Sequence, residues 1–183
     1  MKYGPEIENF LVGNQSKQQT NNIIDFVGNE PMKMKALMAY FFHKEWRFNQ
    51  WASWPLGFIG RNHPELLKPY HSMMIEALKN PSHDAVARNI LRVYEYIEIP
   101  DNIEGELFEL GFGFLIDPKY PIAFRCFSMT VCYKISLKYP ELQDELVAEI
   151  ETHLPHGSPG FKSRGKKILK LLQQRQAVAK RKK

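Results

Sequence analysis

Three groups of residues have types and spacing that could do chemistry. The stretch HKEWRFNQWASW at 43–54 places Trp46, Trp51 and Trp54 beside His43, Arg47 and Gln50. Aromatic faces next to guanidinium and amide groups stack on nucleobases or pin a partner's side chain. Large aromatics at helical spacing also pack cores, and that is the expectation for at least two of the three tryptophans. Trp51 and Trp54, three apart, share a helical face, while Trp46 points elsewhere. The second group is Arg88, Arg125 and Arg164, spaced 37 and 39 residues apart. They read as a cationic ladder on one surface or as structural arginines; Asp84 stands four residues before Arg88, at ion-pair spacing on a helix. The third is Lys162, Lys166 and Lys170, one face of a helix, followed by the terminal AKRKK. Such a run neutralises phosphates or an anionic membrane surface, or is simply the solvated outside of a last helix.

Motifs for catalysis are absent from the sequence. There is no P-loop, no HExxH and no nucleophile elbow. GFGF at 111–114 lacks the third glycine of a dinucleotide loop, and small residues for close helix packing explain it better. His153 and His156 flank a proline without further ligands nearby. Glu104, Glu106 and Glu109 read as the solvated face of a helix that buries Leu107 and Leu110. No catalytic residue, cofactor or metal is therefore expected. Cys126 and Cys132, six apart on one helix, are separated by roughly 9 Å along its axis. A disulfide tolerates less than about 7 Å, so reduced, buried thiols are expected.

The charge is unevenly written. All ten basic residues after Glu151 go uncompensated by any acid, leaving 15 basic and 20 acidic residues before them. From Glu95 to Asp117 there are seven acidic residues and no basic one. Such a chain is a dipole that orients charged partners. No stretch approaches the roughly 18 consecutive apolar residues of a membrane span. The N-terminal MKYGPEIENFLVGNQ lacks the apolar core of a secretory signal, so a cytoplasmic protein is expected.

The elements that must position these residues follow from a repeat. Asn80-Pro81 pairs with Asp117-Pro118 and Arg88 with Arg125, while HPELL at 63–67 matches YPELQ at 139–143 two periods on. Phe48 then falls on Phe124, Ile59 on Ile135 and Arg88 on Arg164. A period of 37 to 39 residues with helical apolar spacing in each half predicts stacked helix pairs. Val86, Ile90, Val93 and Ile97 form one such stripe; Leu142, Leu146, Ile150 and Leu154 form another. The reading is a cap helix near 15–28 and four pairs. First helices lie near 30–43, 64–79, 102–116 and 140–154, and second helices near 44–61, 82–98, 119–138 and 158–177. The second helix of the third pair, apolar almost all round (Ile122, Ala123, Phe127, Met129, Val131), reads as interior.

LKNPSHDAVARNILRVYEYI, LIDPKYPIAFRCFSMTVCYKI and LPHGSPGFKSRGKKILKLL each join a helix ending in Leu to a polar-Pro turn and an Arg. This pattern resembles the HEAT-repeat family, with armadillo-type solenoids close behind. The resemblance covers roughly residues 30–175. The first repeat departs from it: His43-Lys44 replaces the polar-Pro turn, and Asn49 stands where the Arg belongs. It implies an all-α fold, a right-handed α-α superhelix of about four HEAT-like hairpins after an N-terminal cap helix. One domain over 1–178 with a basic tail at 179–183 is expected. It also implies that the register arginines bond the inter-helix turns.

Such solenoids bind macromolecules on a surface formed by their second helices, so a non-catalytic, protein-binding scaffold is the leading expectation. Arg47, Gln50, Trp54, Arg88, Arg92, Arg125, Lys162 and Lys166 are its candidate contact residues. The alternative partner is nucleic acid, held through the basic C-terminal region. In fold and basic character that version is similar to the HEAT-like DNA alkylation-repair glycosylases, although no catalytic Asp matches by motif.

Overall fold

The computed structural model describes residues 2–12 and 16–180. Its secondary structure is helical throughout, with no strand among the described residues. It divides into two compact units, Met1–Ile103 and Glu104–Lys183.

The first unit holds six α-helices. They are α1 (Gly4–Val12), α2 (Lys17–Val27), α3 (Pro31–Phe41), α4 (Trp46–Asn62), α5 (His71–Lys79) and α6 (Asp84–Tyr96). Ser16 caps α2 by accepting the Gln19 N–H at 3.1 Å, and Gly28, at φ 51°, ends it in the left-handed region. Pro31 opens α3 at a position whose N–H has no helical partner anyway. A 3-10 turn at Pro64–Tyr70 leads into α5. α2 is the cap helix the repeat predicts, and α3 to α6 are the first two pairs. α1 was not anticipated. Its only buried side chains are Ile7 and Leu11, a single i, i+4 pair that periodicity cannot distinguish from chance. The Tyr40 hydroxyl of α3 holds it, 2.8 Å from the Glu8 carboxylate and 3.1 Å from the Gly4 carbonyl. Burial, reinforced by that carboxylate, pushes the Tyr40 phenol up to about 12.

The second unit holds α7 (Glu104–Ile116), α8 (Ile122–Ser136), α9 (Gln143–His153) and α10 (Pro159–Lys180). The matched HPELL and YPELQ segments both open on a 3-10 turn at their proline, at Pro64–Tyr70 and Pro140–Leu142. α7 and α8 pack closely because Gly111 has no side chain. A Cβ there would stand 3.3 Å from Cys132 Sγ and 3.9 Å from Ser128 Cβ. Gly111 of GFGF is thus a helix-packing residue, while Gly113 faces open space within the same helix. Both cysteines are free and buried, as expected, and burial raises the Cys132 thiol far above its ordinary range. Residues 181–183 of the expected tail lie outside the described residues.

Two sequence expectations are corrected by the packing. Glu104 is not solvated: its side chain is 2% exposed, within 2.6 Å of the Lys138 ammonium and accepting from the Tyr139 hydroxyl at 3.0 Å. An ion pair buried on one side survives because both carboxylate oxygens are engaged. Nor is α8 interior all round. Phe124, Met129, Val131 and Cys132 are buried, but Ile122 is exposed and Phe127 half-buried. The stripes Val86, Ile90, Val93, Ile97 and Leu146, Ile150 are buried as expected, with Leu142 and Leu154 at half-buried ends.

Candidate functional site

α4 carries the aromatic stretch, and its packing dictates which side chains reach solvent. Its buried face is Asn49, Ala52, Ser53, Pro55, Leu56, Ile59 and Gly60, a mixture of small and aliphatic residues with no aromatic. A Cβ on Gly60 would collide with Leu67 Cδ1 and stand 3.2 Å from Ile97 Cγ2, so the Leu67 side chain would have to shift to admit anything larger. None of the three tryptophans lies on this face. Trp54 is 51% exposed, Trp46 37%, and Trp51 half-buried. The expectation that at least two tryptophans are core is therefore overturned.

On the outer face, Arg47, Gln50, Trp54, Phe58 and Arg61 follow at i, i+3, i+7, i+11 and i+14, one stripe of the helix. Trp54 and Phe58, 51% and 49% exposed, form a ridge with a groove on either side. Between α4 and α6 lies a small groove of about 110 Å³, lined by Ser53, Gly57, Arg61, Arg92, Val93 and Tyr96 together with the ridge. Between α2 and α4 lies a larger one of about 550 Å³, lined by Ser16, Lys17, Thr20, Asn21, Gln50 and Trp51. The Arg92 guanidinium sits 4.5 Å above the Trp54 ring, and that of Arg61 5.8 Å from the Tyr96 ring. Gly57 leaves open space between these pairs. Each guanidinium–ring stack contributes about 0.5–1 kcal/mol at an exposed site and fixes the cation's direction. No carboxylate lines either groove among the described residues.

Gln50, Trp54 and Arg92 are thus the expected contact residues that come together. Phe58, Arg61, Tyr96 and Lys17 join them unanticipated. The signal was present: Phe58 stands four residues after Trp54, and Tyr96 four after Arg92. Arg47 lies at the start of the stripe, paired with Glu45 at 3.1 Å and 5.3 Å from the Trp46 ring. Trp46 itself stacks flat on His83, with ring centres 5.2 Å apart, joining the first residue of α4 to the residue before α6. His83 meanwhile caps α6, its Nδ1 accepting the Ala85 N–H at 3.0 Å.

The register positions divide. Arg125 is buried, its Nε–H donating to the Leu115 carbonyl at 2.9 Å, its guanidinium 4.7 Å from the Phe161 ring. It tethers the end of α7 and is withdrawn from any contact surface. Asn49 does the same work two periods earlier, its amide donating to the Phe41 carbonyl at 2.5 Å at the end of α3. The Asn89 amide donates in turn to Asn49 Oδ1 at 2.9 Å. Arg164 donates to Thr130 Oγ1 at 2.6 Å and lies 5.8 Å from the Phe127 ring. Arg88 is half-buried and makes no ion pair with Asp84 among the described residues. In the second unit, Lys166 and Lys170 of α10 are exposed and Lys162 half-buried.

A family model described as a HEAT repeat domain matches residues 7–172. The chain belongs to the HEAT-repeat family, and its all-α architecture of helical pairs is that family's. Comparison with curated proteins and with solved structures returned no match. No helix among the described residues is long and apolar enough to cross a membrane.

Proposed function

We propose that this chain is a non-catalytic, protein-binding helical-repeat scaffold whose contact surface includes the outer face of α4 with its flanking α2 and α6. One observation carries the reading: Trp54 and Phe58 stand about half exposed on a rigid helix, with a groove on each side. Exposed aromatics cost solubility unless something covers them, and Trp and Arg are both enriched at binding hot spots. Arg47, Gln50 and Arg92 extend the face, and Arg88 flanks it on α6.

A second reading, nucleic acid held by Lys162, Lys166 and Lys170 of α10, is supported by the exposure of Lys166 and Lys170. Affinity capture with the wild-type chain and with a Trp54→Ala, Phe58→Ala double variant tests the first reading. Oligonucleotide gel-shift assays at low and physiological salt test the second. Proteins retained by the wild type and lost by the double variant are the expected result. Nucleic-acid binding that survives physiological salt and loss of residues 176–183, with no protein dependent on the ridge, overturns the scaffold reading.

A further inference from the structure

The two grooves beside the ridge differ in chemistry. Arg61 and Arg92 both line the smaller one, and neither makes a hydrogen bond or ion pair among the described residues. Their guanidiniums are positioned by aromatic rings instead of by carboxylates, so their N–H donors remain available. Two forked cations around a volume of about 110 Å³, with no acidic residue in the lining, define an anion site. That volume is well below the roughly 300–1,000 Å³ of small-molecule pockets, so it suits one side-chain head group. The larger groove offers the aromatic surface of Trp51, Trp54 and Phe58, with Gln50 beside it on α4, opposite Ser16, Thr20 and Asn21 on the α2 side. Those hydroxyls and amides can exchange hydrogen bonds with a peptide backbone, and Lys17 is its one cation. A nucleic acid would need cations along its whole track, and the larger groove offers it Lys17 alone.

We propose that Arg92 and Arg61 bind the carboxylate of an acidic peptide segment of a protein partner, whose neighbouring apolar side chain crosses the Trp54–Phe58 ridge into the α2–α4 groove. This rests on the reading of the α4 face as a contact surface. The partner segment therefore carries an Asp or Glu close to an aromatic or aliphatic residue, and the acidic group fixes its direction across the ridge.

A display library of random dodecapeptides, selected on the full chain, supplies the probe. Selected peptides should be enriched in Asp or Glu beside Leu, Phe or Trp. A synthetic representative, followed by the anisotropy of an attached dye, should lose about 10- to 100-fold in affinity for an Arg61→Gln, Arg92→Gln variant, as for losing hydrogen bonds to a charged group. Replacing its Asp and Glu by Asn and Gln should cost a similar factor. Peptides that need Trp54 and Phe58, but bind the arginine variant equally well, overturn the anion site and leave the contact surface standing. A selection without any peptide dependent on Trp54 and Phe58 overturns both. Competition by a single-stranded oligonucleotide at physiological salt, equal to that by the peptide itself, would assign the face to nucleic acid and overturn the proposal.

Discussion

His71 illustrates what a buried titratable group does to a helical repeat. It is the first residue of α5, buried, with Nδ1 3.0 Å from the Tyr94 hydroxyl of α6. Burial lowers its pKa below the ordinary 6.5, because the imidazolium would lose its hydration. The folded state therefore takes up a proton less readily than the unfolded one. The unfolded chain binds more protons below pH 6.5, so stability rises with pH through this window. The contribution is complete above about pH 6.5 and is lost as pH falls through the lowered folded value. Urea unfolding of the wild type and of His71→Gln between pH 7.5 and 5 should show a steeper acid loss in the wild type. Parallel slopes would mean that His71 is protonated as easily folded as unfolded. The Asn49–Asn89 pair works at the same scale without titrating: a short amide, buried where later repeats place an Arg, still satisfies a helix-end carbonyl.

At the scale of the element, the helices were largely legible in the chain. The Pro turns at 80–81, 117–118 and 139–140 and the stripes of α6 and α9 fall where the period put them. Short apolar pairs such as Ile7 and Leu11 carry too little pattern to announce a helix, so α1 escaped. The site was half legible. Periodicity identifies a stripe but not which stripe faces inward when both are apolar; on α4 the inside goes to Ala52, Ser53, Pro55, Leu56, Ile59 and Gly60 and the tryptophans are not among its buried residues. Glu104 was misjudged for the same reason, since its partners Lys138 and Tyr139 lie 34 and 35 residues away in sequence. α6 and α8 give a paired test. Ile90→Ala should cost about 2–5 kcal/mol, as for a fully buried large-to-small change, while half-buried Phe127→Ala should cost clearly less. Chemical denaturation of both variants checks this, and equal losses would place Phe127 in the core.

For the whole molecule, the family match and the apolar anchoring end together. Leu172 is the last buried residue described, and the family model stops at 172. Gln173, Gln174 and Arg175 are exposed. Deleting residues 176–183 should therefore move Tm by no more than about 2 °C, which corresponds to about 0.5–1 kcal/mol for a chain of this size. A larger fall in a thermal scan would show the basic tail docked as a cap. The same deletion removes Lys180, Arg181, Lys182 and Lys183, and so lowers the net charge from +5 to +1. Any salt-sensitive association that depends on the tail should fade with it.

The distribution of two residue types gives each unit its own built-in reporter. All three tryptophans belong to the first unit, in α4, and both cysteines to the second, in α8. Indole emission therefore arises from residues 1–103, where Trp46 stacks on His83 and Arg92 lies over Trp54. Cys132, with no exposed surface and its thiol held protonated by burial, becomes open to alkylating reagents only when the packing of α7 on α8 gives way. Optical and chemical clocks run side by side in the unaltered chain, so the order in which its halves come apart can be timed without adding a label.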